Sequence, residues 1–235
     1  MNRYKATQIP NLETKNTTYR TDSQPNSDHG YINSNVFKVN SDIDRRILVS
    51  DNFYDDPLKV RDYALSQVYY DDEGYLGMRT RKQFFFEGMK EKFEKILNKK
   101  ITKWEDYEMN GRFQSNIAGT RLVYHCDAQR YAAAIYLTPD APYYTGTSFW
   151  AVKNYNPGEL GTANSIRGAS HPKLDLAFNQ HTFVDRSPYE LVDTAGNIFN
   201  RLVIWDASLI HSASEYCGWD IPSSRLFHIF FFDAE

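Results

Sequence analysis

Two side chains able to bind a metal ion, His125 and Asp127, stand on either side of a single cysteine. The residues predict a strand over Arg121–Cys126, and alternation along it would place the imidazole and the carboxylate on one face. Such a pair suits a divalent first-row metal. With six histidines and 30 acidic residues, however, an acid two places after a histidine is expected roughly 0.8 times by chance. The pair is therefore either a polar strand end or part of a metal site with ligands elsewhere.

The C-terminal third of the chain supplies further candidates. The run 201–206 predicts a buried strand, and His211 follows within a turn of its end. Arg225 begins the next strong strand and shares a face with Phe227 and Ile229. Because a guanidinium on an apolar face is costly without a counter-ion, we expect Arg225 to meet a carboxylate. That carboxylate is either a protein side chain or part of a bound di-acid.

The strand predicted over Tyr131–Leu137 indicates room for a ligand. Ala132, Ala134 and Tyr136 share one face, so two very small side chains lie beside a hydroxyl. In a close-packed interior that space must be filled, and a ligand is one candidate. The candidate pocket-lining residues on the predicted strands are Arg121, Ala134, Thr147 and Trp150. For the tryptophan, the alternative is packing in the core or at a rim.

Other polar residues receive simpler interpretations. His228 falls on the face opposite Arg225, which is typical of a structural histidine with satisfied hydrogen bonds. The basic cluster of Arg79, Arg81 and Lys82 either contacts an anion or belongs to a solvated loop, and we favour the loop.

Composition excludes several classes of protein. Of the 235 residues, 41% are hydrophobic and 24% charged, which is typical of a globular chain. No apolar run is long enough to span a membrane, and a net charge of −3 argues against a nucleic-acid partner. With only two cysteines and an N-terminal start that lacks an apolar leader, we expect a cytoplasmic protein with reduced thiols.

The predicted elements are two helices followed by many strands. Asp56 and Pro57 predict a helix start, with the helix reaching about Tyr69, and a second helix is predicted at about 83–98. The clearest predicted strands are 113–117, 121–126, 131–137, 147–152, 201–206 and 226–232. This order favours a mainly β fold with flanking helices, a sandwich or jelly roll.

One domain is expected. Residues 1–40 are polar and predict an N-terminal arm that is poorly ordered or wraps the domain, and 41–235 predict a single β domain. Between about 153 and 197 the strand signal is weak, and such a long connection is typical of a lid or binding loop.

In their order along the chain, His125-x-Asp127, His211 and Arg225 resemble the signature of the iron(II)- and 2-oxoglutarate-dependent oxygenases. The surrounding sequence is similar to their prolyl-hydroxylase-like branch and to a little-characterised subgroup of it. The similar segments are the Ala-rich run ending in Ile135-Tyr136-Leu137, the run Gly146-Thr147-Ser148-Phe149-Trp150, the closing strand from Arg225, and the lead-in 51–61. The resemblance covers about residues 45–235.

The resemblance implies a double-stranded β-helix, which is a cupin-like jelly roll, with iron(II) bound by His125, Asp127 and His211. Two of the remaining coordination positions would take 2-oxoglutarate and the last O2. Arg225 would pair with the far carboxylate of 2-oxoglutarate, assisted by Tyr136. Hydrogen abstraction from a small-molecule or peptidyl substrate would accompany release of succinate and carbon dioxide. Related halogenases lack the carboxylate, so Asp127 favours hydroxylation.

Two other functions remain open from the sequence alone. One is a cupin-type metalloenzyme that does not use 2-oxoglutarate, and the other is a non-catalytic jelly-roll binding module. The primary substrate and the oligomeric state have no signature in the sequence.

Overall fold

The computed structural model describes residues 47–71, 76–152, 184–187 and 189–235. Residues 46–235 form one compact unit. The expected N-terminal arm and the part of the expected insertion at 153–183 lie outside the described residues.

Two helices lie before most of the strands. Helix α1 spans Pro57–Leu65, and the Asp56 carboxylate caps it by accepting from the backbone N–H of Lys59, which confirms the predicted start. Helix α2 spans Met89–Leu97. It begins later than predicted because Phe84 donates its backbone N–H to Gly111. Neither described helix is long and apolar enough to cross a membrane.

The larger sheet contains eight antiparallel strands. They are β1 Ile47–Ser50, β2 Tyr69–Asp71, β3 Met78–Thr80, β4 Ile101–Lys103, β5 Arg112–Asn116, β6 Tyr131–Tyr136, β9 Leu202–Asp206 and β11 Arg225–Ala234. Their order is β1-β9-β6-β11-β5-β3-β2, with β4 paired to β11. β2 occupies residues that we had expected at the end of the first helix.

The smaller sheet has three strands, namely β7 Thr147–Val152, β8 Tyr189–Ala195 and β10 Ile210–Ala213. Their order is β10-β7-β8. A single bridge between His125 and His211 adds the segment that connects β5 to β6 beside β10. This segment is otherwise irregular, so the strand predicted over Arg121–Cys126 is wrong.

The path of the chain between the two sheets defines the architecture. From β5 and β6 in the larger sheet the chain passes to β7 and β8 in the smaller, then to β9, to β10 and back to β11. Ring contact between Phe149 on β7 and Trp205 on β9 shows that the sheets face one another. The chain therefore forms a double-stranded β-helix, which confirms the predicted fold class.

The two faces of the larger sheet have different roles. One packs under the helices, where Phe93 of α2 contacts Phe230 and Phe232 of β11. The other faces the smaller sheet and carries a second apolar cluster around Ala134 and Phe227. The helices thus cover the outside of the sheet, and the face turned toward the smaller sheet lines the site.

Strand β8 lies inside the range in which we expected little strand structure. Only its ends, Tyr189 and Ala195, are buried, while the five residues between them are exposed. Among the described residues this strand lies at the edge of the smaller sheet and pairs only with β7. An edge strand with two exposed faces has no apolar alternation, so its sequence resembles a loop.

Candidate metal centre and adjoining cavity

Three side chains from two separate segments of the chain converge at one end of the barrel. One ligand atom from each of His125, Asp127 and His211 lies within 4.8 Å of the others, and together they could hold a metal ion. Nε2 of His125 lies 3.7 Å from Oδ1 of Asp127, and Nε2 of His211 lies 3.3 Å from Oδ2. Two imidazoles and one carboxylate form the donor set of non-haem iron sites with open coordination positions.

Backbone hydrogen bonds orient both imidazoles. Nδ1 of His125 lies 3.1 Å from the carbonyl of Val123, and Nδ1 of His211 lies 2.9 Å from the carbonyl of Leu209. Because a carbonyl only accepts, Nδ1 must carry the proton in each ring. In the neutral ring Nε2 then carries no proton and faces the centre as the ligand atom, as metal-binding histidines require.

The main chain also fixes the spacing of the two histidines. The N–H of His125 donates to the carbonyl of His211 at 3.1 Å, and the N–H of His211 donates back at 2.9 Å. The backbone of Asp127 is held as well, since its N–H donates to Ala207 at 2.8 Å. The predicted convergence of the pair therefore occurs through loop hydrogen bonds rather than through strand alternation.

The protonation states also suit a cation. Burial lowers the pKa of His125, and the neighbouring His211 lowers it further. Burial alone would raise the pKa of Asp127, but the adjacent His211 and His125 outweigh it, and the pKa is lowered. The centre therefore offers a neutral imidazole and an ionised carboxylate, the forms that bind metals.

The surroundings of Asp127 also test whether the three side chains fit a metal ion. Its buried Oδ2 has no hydrogen-bond partner among the described residues. A buried carboxylate oxygen without a hydrogen bond is costly unless something else compensates its charge. A divalent ion held by the three side chains would do so.

A cavity of about 710 Å³ adjoins the three side chains and lies between the two sheets. Of the predicted lining residues, Ala134 and Thr147 face it, as does Arg225. Ala134 lies beside Ile229 of β11 and Val203 of β9, so the small side chain leaves room in the cavity wall.

Two predicted lining residues lie elsewhere. Arg121 is exposed, because its segment is irregular and alternation does not apply. Trp150 packs in a separate cluster, with its ring 5.2 Å from that of Tyr124, and its Nε1 donates to Ser212. Phe149, one residue earlier, faces Trp205 across the sheets, so Trp150 points outward.

Arg225 is buried, and its guanidinium is oriented by the turn that leads into β7. Nε donates to the carbonyl of Thr145 at 2.7 Å, and Nη2 donates to Gly146 and to Oγ1 of Thr147, both at 3.2 Å. Among the described residues no carboxylate forms an ion pair with Arg225. From the sequence, Arg225 was expected to pair either with a protein carboxylate or with a bound di-acid. The described residues do not supply the protein carboxylate.

Tyr136 supports the same guanidinium. Cζ of Arg225 lies 5.2 Å from the centre of the Tyr136 ring and 4.3 Å from that of Phe227. The Tyr136 hydroxyl is hydrogen-bonded to Oγ1 of Thr147 at 2.8 Å. Tyr136 thus lies behind the cavity wall, where it holds Arg225 and Thr147 in place.

The chain is similar to several solved structures, including the following three. HygX from Streptomyces hygroscopicus, solved with nickel and 2-oxoglutarate bound, has 13% identity and a TM-score of 0.45 over 80% of this chain and 83% of that one. A Pseudomonas putida prolyl-4-hydroxylase has 13% identity and a TM-score of 0.40 over 79% and 91%. A Trichoplax adhaerens prolyl hydroxylase, solved with a peptide fragment of hypoxia inducible factor, has 11% identity and a TM-score of 0.43 over 97% and 94%.

No family model matches the sequence, and no curated protein does.

The sequence interpretation missed one part of the cavity wall. Arg79, interpreted as part of a solvated loop, is only 8% exposed and lines the cavity. Gln114 and Tyr216 also line it, and neither had been singled out. The basic character of Arg79 was the only indication in the sequence that it could line a cavity. Its burial could not be predicted, because it depends on the pairing of β3 with β5, which are distant in sequence.

His228 has the structural role that was predicted. Its Nε2 donates to the carbonyl of Gly111 at 3.0 Å, and its Nδ1 accepts from the hydroxyl of Tyr54 at 2.7 Å. The ring is fully buried on the helix side of the larger sheet, away from the metal centre.

Proposed function

We propose that the protein is an iron(II)- and 2-oxoglutarate-dependent dioxygenase that hydroxylates a small-molecule or peptidyl substrate. One observation carries the proposal. A two-histidine, one-carboxylate centre and a buried arginine without a carboxylate partner among the described residues line the same cavity. The first suits ferrous iron with open positions, and the second suits a di-acid.

His125, Asp127 and His211 would hold the iron. Both imidazoles are oriented by backbone carbonyls, and the lowered pKa of Asp127 keeps its carboxylate ionised for the ion. With both bound, iron(II) and 2-oxoglutarate would activate O2 for hydroxylation of a substrate C–H bond, with release of succinate and carbon dioxide. Halogenases related to the oxygenases that the sequence resembles lack this carboxylate, which leaves room for a halide, so the presence of Asp127 favours hydroxylation.

Arg225 would bind the far carboxylate of 2-oxoglutarate. Its Nε and Nη2 donate to the turn before β7, which leaves the two N–H groups of Nη1 for a ligand in the cavity that Arg225 lines. Tyr136 would assist by fixing the guanidinium and the Thr147 hydroxyl. A pre-oriented fork loses little freedom when it meets a carboxylate.

Cys126 and Cys217 are not joined in a disulfide, which supports a reducing compartment and hence a cytoplasmic protein. The net charge of −3 favours a substrate other than nucleic acid.

Binding of iron and 2-oxoglutarate can be measured without knowing the primary substrate. We expect the anaerobic iron(II) protein to develop a weak visible charge-transfer band on addition of 2-oxoglutarate, and to release succinate slowly in air. His211→Ala should abolish the band, because the ion loses one of three ligands. Asp127→Asn should weaken or abolish the band for the same reason. Asp193→Asn changes an exposed carboxylate on β8, so it is the matched control and should leave the band unchanged.

The negative outcomes separate the alternatives. Stoichiometric metal binding without affinity for 2-oxoglutarate would overturn the proposal in favour of a cupin-type enzyme. Absence of metal binding on reconstitution would favour a non-catalytic binding module.

A further inference from the structure

A buried amide beside the metal centre has no role in the proposed oxygenase. Gln129 follows Asp127 by two residues, lines the same cavity and is only 8% exposed. Its Nε2 is buried and has no hydrogen-bond partner among the described residues. Leaving such a donor unpaired is costly, and unpaired buried groups in native proteins typically belong to sites that an ion, a water or a ligand completes.

The backbone on both sides of Gln129 is fixed. The N–H of Asp127 donates to the carbonyl of Ala207 at 2.8 Å, and the N–H of Ala207 donates to the carbonyl of Arg130 at 3.1 Å. The N–H of Arg130 in turn donates to Oδ1 of Asp233 at 2.7 Å. Asp127 and Gln129 therefore lie in one short segment whose two ends are bonded to the same residue, which restricts the relative position of their side chains.

The Gln129 amide lies close to the Asp127 carboxylate but is not bonded to it. Burial raises the pKa of Asp127, His211 and His125 lower it, and the nearby amide of Gln129 lowers it further. Nevertheless, Nε2 of Gln129 and Oδ2 of Asp127 are both without a hydrogen bond among the described residues. The two groups are therefore close enough to interact electrostatically but lie outside hydrogen-bond geometry.

A carboxylate that binds an ion needs a donor of this kind. When one oxygen binds the ion, the second stays buried, and metal-binding carboxylates are typically hydrogen-bonded in turn. The imidazoles at this centre do not supply the donor, because Nδ1 of His125 and Nδ1 of His211 already donate to backbone carbonyls. Gln129 carries an unused N–H group two residues from the carboxylate.

We propose that Gln129 is a positioning residue of the metal centre, whose amide donates a hydrogen bond to the Asp127 carboxylate when the ion is bound. The bond would restrict rotation of the carboxylate and so determine which oxygen faces the ion. This role rests on the metal site of the proposed function, and it requires neither 2-oxoglutarate nor a primary substrate.

The affinity of the protein for cobalt(II), measured without 2-oxoglutarate, tests this role. Gln129→Met keeps the approximate volume of the side chain and removes the N–H group. We expect the dissociation constant to rise about 10–100-fold, the usual effect of removing a hydrogen-bond partner of a metal ligand. The visible absorption of bound cobalt(II), which reports its coordination, should also change.

The melting temperature of the metal-free protein separates positioning from a structural role. Because the amide is unpaired without the ion, Gln129→Met should leave this temperature unchanged or raise it. A lower melting temperature with unchanged cobalt(II) affinity would show a structural role and overturn the proposal. Gln129→Leu also lacks the N–H group and gives the same test if the methionine variant does not fold.

Gln114→Met is the matched control. Gln114 is also a buried glutamine that lines the cavity, but its amide is bonded to Arg79 and Asn116. Its loss should lower the melting temperature and leave the cobalt(II) dissociation constant within about threefold of wild type. An equal loss of affinity in both glutamine variants would overturn a specific role for Gln129.

A second unpaired N–H group provides a competing donor. Nε1 of Trp205 is buried without a hydrogen bond among the described residues, and its ring centre lies 5.0 Å from that of His211. Trp205→Phe removes this group and keeps an aromatic ring. Weaker cobalt(II) binding in Trp205→Phe, with wild-type affinity in Gln129→Met, would assign the hydrogen bond to the indole and overturn the proposal.

Failure of the oxygenase function gives a different result. A wild type that binds cobalt(II) but not 2-oxoglutarate would count against the oxygenase, and the affinity of Gln129→Met for cobalt(II) would still decide the role of the amide. Normal binding of 2-oxoglutarate, with wild-type cobalt(II) affinity in Gln129→Met, would overturn this proposal alone. A wild type that binds no cobalt(II) would overturn both.

Discussion

At the scale of single residues, the geometry of Arg225 is more specific than its charge. Three of its contacts are to two carbonyls and one hydroxyl of the 145–147 turn, so the direction of the fork is set before any ligand binds. A lysine at this position would keep the charge but would lack the planar fork that matches a carboxylate.

We therefore expect Arg225→Lys to raise the dissociation constant of 2-oxoglutarate by about tenfold or more, since a hydrogen bond to a charged group contributes about 1.5–3 kcal/mol. Anaerobic titration of the charge-transfer band measures this. Arg112→Lys is the matched control, because Arg112 is also a buried arginine but pairs with Glu108. An unchanged affinity in Arg225→Lys would remove Arg225 from the co-substrate site.

Residue types and order predicted the metal ligands better than local structure did. His125, Asp127 and His211 do converge, yet the argument from strand alternation does not apply to the irregular segment that holds the first two. Arg79 shows the opposite failure. Its burial depends on pairing with Gln114, 35 residues away, which no local pattern encodes.

At the scale of elements, the turn before β7 connects the two sheets through a single glycine. A Cβ on Gly146 would lie 1.9 Å from the carbonyl oxygen of Ala195 and 2.9 Å from the nitrogen of Asn197. The carbonyl of Gly146 also accepts from Arg225. The close approach of β8 to this turn therefore requires glycine.

Gly146→Ala should destabilise the domain by about 1–3 kcal/mol through overpacking, and should weaken binding of 2-oxoglutarate because the turn that holds Arg225 must move. Urea denaturation and the same titration measure the two effects. Gly196→Ala is the control. Its nearest neighbour would be the Tyr143 carbonyl at 3.3 Å, so the loss should be smaller. Equal losses in both variants would contradict a specific role for Gly146.

Element prediction succeeded where a strand is buried along its whole length and failed at the edge of a sheet. The apolar runs of β6 and β9, with every residue buried, were predicted within one residue at either end. β8 was missed because its five central residues are exposed. The second helix was drawn too long because residues 84–86 are apolar, although they pack as an extended segment before Gly88.

At the scale of the whole molecule, one buried histidine links the stability of the domain to pH. His228 lies among Tyr54, Phe113 and Phe230, and burial lowers its pKa to about 3. In the unfolded chain its pKa returns to about 6.5. The folded state therefore binds fewer protons between these values, and stability falls as the pH is lowered through this range.

We expect His228→Gln to reduce the slope of the free energy of unfolding against pH by up to about 1.4 kcal/mol per pH unit. The amide can still donate to Gly111 and accept from Tyr54, but it does not titrate. Denaturation of both proteins between pH 6.5 and 5, where most carboxylates stay ionised, isolates the effect. Tyr54→Phe should lose stability and keep the wild-type dependence. If His228→Gln retains the full slope, another group is responsible.

The paired main-chain bonds between His125 and His211 have a consequence for how such a protein could diversify. Backbone hydrogen bonds set the spacing of the two imidazoles. The cavity wall around Arg79 and Tyr216 is formed instead by side chains, which mutation can replace. Mutations in the cavity wall can therefore change which substrate fits without moving the residues of the metal centre. Related proteins would be expected to differ in substrate specificity while keeping the same metal-binding residues.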